Sequence, residues 1–157
     1  KYLKLKIEDA VNATKAAIEE GIVAGGGVAL IKAAQKVSES LVNKKHPSKE
    51  FELGYTIVLK ALEAPLKQIA MNAGKDDGSV IVEKVKNGKG NAGYDALKDE
   101  MIVDMIVSGI VDPVKVTRLG VQNACSAASI LLTTEVAIAE DAKEEKVGNA
   151  QGAGMEY

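Results

Sequence analysis

The sequence predicts a mainly α-helical domain with a short β-hairpin and little other sheet. Apolar residues recur at three- and four-residue steps along most of the chain, which is the period of an amphipathic helix. Hydrophobic residues make up 46% of the sequence but aromatic residues only 3%. The core must therefore be built from Ala, Val, Ile and Leu, which favour closely packed helices.

The helices follow from this period and from the signals at their ends. The first is expected at residues 2–20, where Gly21 ends it. Further helices are expected at residues 28–40, 51–63, 66–73, 80–86 and 113–132. Pro65 suits the first turn of the fourth helix, and Asp112 and Pro113 suit the N-cap and first position of the last.

The remaining segments are predicted to be turns, strands and a tail. Residues 87–95 hold three glycines and two asparagines, which indicates tight turns and a short hairpin. Residues 133–139 are β-branched and alternating enough for a strand, whereas residues 99–107 receive no assignment. Residues 140–157 are charged and then rich in Gly and Ala, which predicts a flexible tail. The third helix is expected to turn its apolar face inward, with Ile57, Val58, Ala61 and Leu62.

The composition argues against several classes of protein. The net charge is −2, so no strong field would attract nucleic acid or a membrane surface. Arg118 is the single arginine, which excludes phosphate recognition by an arginine cluster. Cys125 is the single cysteine, so no intrachain disulfide is expected. A reducing, cytoplasmic location is expected instead. The polar start without Met resembles neither a signal peptide nor a natural beginning, and predicts a piece of a longer polypeptide.

The triplet Gly25-Gly26-Gly27 before the second helix admits two interpretations. Glycine amides at a helix start can form a seat for an anion or a nucleotide. The spacing fits neither of the common phosphate-binding glycine motifs. The simpler interpretation is that these glycines let the helix start pack closely on another backbone.

Two aspartates have both a structural and a functional interpretation. Asp9 faces away from the apolar stripe of the first helix, as an ordinary solvated acid or as a carboxylate that orients or deprotonates an attacking water. Asp112 has a structural role as N-cap, and it could also accept hydrogen bonds from ribose hydroxyls. Spacing alone favours the structural interpretation of each.

Three other positions give weaker evidence for a functional site. The turn with Tyr94 and Asp95 is a binding loop or a plain hairpin. His46 lies in a polar loop without a second His or paired cysteines, so a metal site there is not expected. Cys125 lies in a run of small residues and is interpreted as a buried core thiol rather than a nucleophile.

Taken together, several segments closely resemble group I chaperonins of the GroEL type. They keep the order and register of that family up to about residue 139. The segments are residues 6–10 (KIEDA), 13–30 (ATKAAIEEGIVAGGGVAL), 61–69 (ALEAPLKQI), 93–96 (GYDA), 109–118 (GIVDPVKVTR) and 133–135 (TTE). The agreement covers nearly the whole chain and is far more specific than any one motif in it.

The resemblance implies a domain organisation. Residues 1–24 would be an intermediate-domain segment that contributes one helix. Residues 25–139 would be the C-terminal half of the equatorial ATPase domain, a helical bundle with a short hairpin, and residues 140–157 a flexible C-terminal tail. The N-terminal equatorial half and the substrate-binding apical domain have no counterpart in this sequence.

The resemblance also implies site residues. Asp9 matches the family's catalytic carboxylate, which approaches the γ-phosphate when the intermediate domain swings down. Gly26 matches a glycine that contacts the nucleotide, and Asp112 an aspartate that holds the ribose. The turn that lies against the adenine corresponds to Asp95, Ala96 and Leu97. The family often has Asn-Ala-Ala there, so a contact from an asparagine side chain is not assured.

The implied function is ATP-driven folding of non-native proteins inside a homo-oligomeric ring that a co-chaperonin lid closes. The cofactors would be ATP and Mg²⁺, with K⁺ as a further candidate, and the partners would be ring subunits, the lid and unfolded clients. The family's magnesium ligand and phosphate loop lie in the missing half. The isolated chain is therefore expected to hydrolyse ATP poorly or not at all.

Two alternatives from other classes stay open at this point. One is a stand-alone helical assembly module that keeps only the interaction surfaces. The other is a non-catalytic nucleotide-binding remnant that uses the seat at residues 25–27. This second alternative predicts nucleotide binding that Asp9→Ala leaves unchanged.

Overall fold

A computed structural model of the chain describes residues 1–41 and 47–140. Within them the chain forms mainly helix, as the sequence predicts, with four three-residue strands. The elements in order are α1 (Tyr2–Glu20), β1 (Ile22–Ala24), α2 (Val28–Leu41), α3 (Lys49–Ala61), α4 (Ala64–Asn72), α5 (Ser79–Asn87), β2 (Gly93–Asp95), β3 (Glu100–Ile102), β4 (Val111–Pro113) and α6 (Val114–Thr133). His46 and the predicted tail beyond residue 140 lie outside the described residues.

The end signals read from the sequence hold for α1 and α4. Gly21 ends α1 with a positive φ of 85°, which glycine adopts without a side-chain clash. Pro65 lies in the first turn of α4, where its missing N–H costs nothing. The start of α3 is two residues earlier than predicted because the Ser48 hydroxyl accepts a hydrogen bond from the Phe51 backbone N–H at 3.2 Å. Ser48 is thus the N-cap of α3.

The core lies between α2, α4, α5 and the β2–β3 hairpin. Its ten buried hydrophobic residues are Ala24, Val28, Ile31, Leu66, Ala70, Ile81, Val82, Val85, Tyr94 and Met105. Most are aliphatic, in agreement with the composition. Met105 comes from the loop after β3 and is fully buried, and Lys32 of α2 donates to the backbone carbonyls of Val85 and Gly88 at 2.8 and 2.6 Å. These bonds satisfy carbonyl groups at the C-terminal end of α5.

The strands form two small antiparallel sheets, of which only the first joins segments that are distant in sequence. In the first, β1 pairs with β4, so that Val23 lies opposite Asp112. In the second, β2 pairs with β3, with Tyr94 opposite Met101. This second sheet confirms the predicted hairpin, and its second strand falls in the segment that the sequence left unassigned.

Helices α1 and α6 pack together at the edge of the core. Among the described residues neither helix has a fully buried side chain. The last turn of α1 is tied to the first turn of α6 by the ion pairs Glu19–Lys115 and Glu20–Arg118. Arg118 donates twice to the Glu20 carboxylate, at 3.0 and 2.6 Å. This geometry joins the two helix ends where β1 and β4 also meet.

The prediction of a strand at residues 133–139 is wrong. Helix α6 continues to Thr133, and the Thr134 hydroxyl donates back to the Ile130 carbonyl at 2.6 Å. Residues 134–140 pair with no strand within the described part of the chain. A β-branched run forms a strand only where a partner supplies hydrogen bonds, so the local pattern was not sufficient.

The prediction of Asp112 as a helix N-cap is also wrong. Asp112 belongs to β4, and the N-cap of α6 is Pro113, with φ −65° and ψ 133°. Pairing of β4 with β1 keeps the backbone extended through Pro113. The helix therefore begins one residue later, and the Asp112 side chain is not used by it.

The expected inward face of α3 is wrong in part. Ile57 is 60% exposed and Val58 36% exposed. Both line an apolar groove of about 430 Å³ between α3 and α6, and Cys125 lines its opposite side. Cys125 is only partly buried, which corrects the expectation of a core thiol.

Candidate functional site

Asp112 lies at the point where β1, β4 and the start of α2 meet. The Gly25 backbone N–H donates to the Ile110 carbonyl at 3.0 Å and so extends the β1–β4 contact to the glycine triplet. Partial burial raises the pKa of the Asp112 carboxyl, and a hydrogen bond from the Gly26 backbone N–H opposes this rise. A half-buried carboxylate with one amide donor keeps lone pairs free to accept further hydrogen bonds.

The glycine triplet is explained largely by close packing. A Cβ on Gly25 would lie 3.0 Å from the Val111 carbonyl carbon, and one on Gly27 would lie 3.0 Å from the Leu66 backbone nitrogen. Gly26 and Gly27 have positive φ values of 64° and 80°. The simpler interpretation from the sequence is thus confirmed for Gly25 and Gly27. Gly26 has room above it except for the end of Met105, at 3.2 Å from such a Cβ.

The β2–β3 hairpin positions the turn at residues 95–97. Asp95 is 8% exposed, and its carboxylate accepts hydrogen bonds from the backbone N–H groups of Leu97 and Lys98 at 2.9 and 3.3 Å. The carboxylate therefore shapes its own turn, as aspartate commonly does. Leu97 projects outward and is 93% exposed.

These segments enclose a cavity of about 450 Å³. It is lined by Gly26, Ile69, Tyr94, Asp95, Ala96, Leu97, Lys98, Ser108 and Ile110. Four of the six residues predicted from the sequence thus meet at one cavity, from two segments about 70 residues apart. Asp112 is linked to it through the Gly26 backbone. The apolar side chains of Ile69 and Ile110 beside hydrogen-bonding groups suit a flat, partly polar ligand.

Asp9 is not brought to this cavity. It is exposed on α1, twelve residues before Gly21, which is about 18 Å along the helix axis. Among the described residues, the α1 acids with partners on α6 are Glu19 and Glu20 at the end of the helix. The Arg118 guanidinium beside Glu20 holds the pKa of that carboxyl below its usual value.

A protein-family model decides the relationship. The model of the TCP-1/cpn60 chaperonin family matches residues 1–142. The chain belongs to this chaperonin family. It is also similar to a solved chain described as a group III chaperonin in the open state, with 30% sequence identity and a TM-score of 0.66. That match covers 78% of this chain and 25% of the solved one, so the sequence spans about a quarter of that chaperonin's length.

The described part of the chaperonin chain contains neither a cluster of metal-ligating side chains nor a membrane-spanning helix. Within residues 1–41 and 47–140, no group of three or more His, Cys, Asp or Glu side chains could hold a metal ion. The described residues thus do not by themselves form a site for Mg²⁺. None of the helices that the structure describes is both long and apolar enough to cross a bilayer.

A second, more open cavity of about 940 Å³ lies between α5 and β3 in the described part of the chaperonin chain. It is lined by Val80, Met101, Val103 and neighbouring side chains. It contains none of the six predicted site residues. Its size alone is therefore a weaker argument than the convergence at the smaller cavity.

Sequence reasoning missed several residues of the smaller cavity. Ile69 and Ile110 carry no chemical signal, since an isoleucine in a wall and one in a core look alike in sequence. Ser108 and Lys98 come from loops whose course was not predicted. Ile69 and Ile110 do lie in segments that resemble the family, and this was the one signal that pointed to them.

Proposed function

We propose that this chain supplies the nucleotide-binding part of an ATP-hydrolysing, protein-folding chaperonin of the group I type. The observation that carries the proposal is the convergence of Gly26 and the turn at residues 95–97 on one cavity, with Asp112 attached through the Gly26 amide. The family assignment supports it, although the matched structure is described as a group III chaperonin.

Each part of the cavity suits one part of ATP. Ile69, Ile110 and Ala96 provide apolar surface for the faces of a purine base, which is the surface most costly to leave in water. Asp112, which is linked to the cavity through the Gly26 amide, would offer carboxylate oxygens to the ribose hydroxyls. The backbone at Gly26 allows the ligand to approach closely because no side chain intervenes.

Asp9 is proposed as the carboxylate that orients or deprotonates the attacking water. Its exposed position on α1 means that it has to approach the phosphates from outside the cavity. General-base catalysis of this kind contributes about 10²- to 10⁴-fold to a rate. ATP and Mg²⁺, a K⁺ ion, a homo-oligomeric ring, a co-chaperonin lid, unfolded clients and a cytoplasmic location belong to the same proposal.

The test uses the native full-length protein that contains this sequence. We expect Asp9→Asn to lower the kcat for ATP about 10²- to 10⁴-fold with ADP affinity unchanged. We expect Asp112→Asn to weaken ADP binding, measured by titration calorimetry. Glu8→Gln is the matched control, because Glu8 is the neighbouring exposed acid and is paired with Lys4 at 3.6 Å.

Three outcomes would contradict the proposal at different points. Wild-type protein that binds no ADP would overturn the nucleotide site and favour the assembly-module alternative. ADP binding with full turnover in Asp9→Asn would remove the catalytic role of Asp9 and leave the site. Equal losses in Glu8→Gln and Asp9→Asn would show a general charge effect on α1.

A further inference from the structure

A chain of three side chains holds the far end of the β2–β3 loop. The Tyr94 hydroxyl donates to the Asp99 carboxylate at 2.8 Å, and the Lys75 ammonium lies 2.6 Å from the same carboxylate. Tyr94 is almost fully buried, whereas Lys75 lies in the loop between α4 and α5, three residues beyond Asn72. Asp99 therefore connects the core of the hairpin to the loop that follows α4.

Asp99 also has an unusual backbone conformation. Its φ is 57°, the one positive value at a non-glycine residue among the residues described. Aspartate tolerates this left-handed conformation better than most residues, yet it still carries a cost. The bonds to Tyr94 and Lys75 favour the one conformation in which the carboxylate meets both donors.

The loop between these anchors is a wall of the candidate nucleotide cavity. At its near end the Asp95 carboxylate accepts from the Leu97 and Lys98 amides, and at its far end Asp99 is held as described. Residues 96–98 between them line the cavity. Lys75 and Asp99 are not among the lining residues, so any effect they have on a ligand passes through the loop.

We propose that Lys75 and Asp99, with the Tyr94 hydroxyl, are positioning residues that hold residues 96–98 in the shape that receives the adenine base. This inference rests on the proposed nucleotide-binding function. It assigns to these three side chains, none of which is among the six predicted site residues, a role in the affinity and base selectivity of the cavity.

The exposure of Lys75 and Asp99 indicates that their ion pair holds the loop in position more than it stabilises the fold. The side chains of Lys75 and Asp99 are 34% and 57% exposed, and ion pairs at such positions add little to folding stability. The ammonium and the Tyr94 hydroxyl keep the pKa of the Asp99 carboxyl below its usual value, so the link is charged at neutral pH. If loss of the Lys75–Asp99 link leaves residues 96–98 in the binding conformation about one-tenth of the time, the apparent affinity for the nucleotide falls about tenfold.

The experiment compares ADP and GDP binding to the native full-length protein by titration calorimetry, with thermal unfolding measured in parallel. Asp99→Asn is the conservative variant, because asparagine also tolerates a positive φ but carries no charge for Lys75. Lys75→Met removes the partner from the other side. Lys89→Met is the matched control, since Lys89 is exposed and its side chain lies outside the network of Tyr94, Asp99 and Lys75.

We expect Asp99→Asn and Lys75→Met each to weaken ADP binding about five- to tenfold and GDP binding less, so that the ADP-to-GDP affinity ratio falls. The double variant should lose no more than either single one, because both break the same link. Lys89→Met should change nothing, and the melting temperatures should stay within about 2 °C of wild type.

The outcomes separate this inference from the function beneath it. Wild type that binds neither nucleotide overturns both. Wild type that binds ADP, with unchanged affinity and selectivity in Asp99→Asn and Lys75→Met, overturns the inference and leaves the nucleotide site. Weakened binding of ADP and GDP in equal proportion, together with a lowered melting temperature, also overturns it, because that pattern indicates general loosening of the fold.

Discussion

Replacing Gly27 with alanine should be one of the most damaging single-methyl changes in this domain. Gly27 has a φ of 80°, and its position is fixed between the end of β1 and the first turn of α2. An added Cβ would lie 3.0 Å from the Leu66 backbone nitrogen and 3.1 Å from the Leu66 Cβ. Neither atom is the mobile end of a side chain, so α2 and α4 would have to separate.

The magnitude follows from two costs. The left-handed conformation costs an alanine about 1–2 kcal/mol. Forcing a methyl group into a filled contact costs about 1–3 kcal/mol more. The sum is about 3.5 kcal/mol in the middle of these ranges, which lowers the melting temperature of a domain of this size by about 7–14 °C.

Gly90→Ala is the matched control for the first of these costs. Gly90 has a φ of 58°, and a Cβ there would have no heavy atom within 4 Å. It should lose about 1.5 kcal/mol, or about 3–6 °C. Both variants are compared with wild type by urea unfolding and by differential scanning calorimetry. Equal losses in the two variants would refute the reasoning, since the contact with Leu66 would then cost nothing.

Two further predictions concern stability. Met105→Ala should lose about 2–5 kcal/mol, because it empties a fully buried site, whereas Met105→Leu should lose less than about 1.5 kcal/mol; similar values in urea unfolding would show that the site collapses around the smaller residue. Burial raises the pKa of Asp112, so the folded protein binds this proton more tightly than the unfolded chain and loses stability as pH rises from about 4 through the folded-state pKa. Asp112→Asn does not titrate and should therefore gain stability relative to wild type over that rise; a relative stability that is flat with pH, or that falls, in urea titrations between pH 4 and pH 7 would contradict this.

The sequence predicted helices well because their signals are local. The apolar period of α1 and the stop at Gly21 are both contained in one stretch of chain, and the structure agrees with both. The hairpin was also predicted from the glycines before Tyr94. Its second strand was not, since Glu100–Ile102 becomes a strand only through its pairing with β2.

Failures occurred where tertiary contacts decide. Asp112 looks like an N-cap until β4 pairs with β1 and keeps the backbone extended. Residues 133–139 look like a strand until no partner is found among the described residues. Ile57 looks inward-facing in the sequence, but it lines a groove between α3 and α6 and stays exposed. Each error concerns a neighbour that the local pattern does not contain.

The candidate site was predicted by resemblance more than by chemistry. Spacing alone favoured structural roles for Asp9 and Asp112 and close packing for the glycine triplet. The close approach of Gly25 and Gly27 to other backbones confirms the packing interpretation, whereas the N-cap role of Asp112 is wrong. The cavity itself required the folded arrangement, because its walls come from α4, the hairpin and the loop before β4.

The junction between α1 and β1 determines how far Asp9 would move if α1 rotated. The chain turns from α1 into β1 at Gly21, whose φ is 85°, and β1 is held by its pairing with β4. The Glu19–Lys115 and Glu20–Arg118 ion pairs hold α1 to α6 beside this turn. Because Asp9 lies about 18 Å from Gly21 along the helix, a rotation of α1 by about 20° at Gly21 would move Asp9 sideways by roughly 6 Å. A small displacement at the two exposed ion pairs would therefore become a larger displacement of the Asp9 carboxylate. Under the proposed function, the approach of that carboxylate to the nucleotide would then depend on charges that lie outside the candidate cavity.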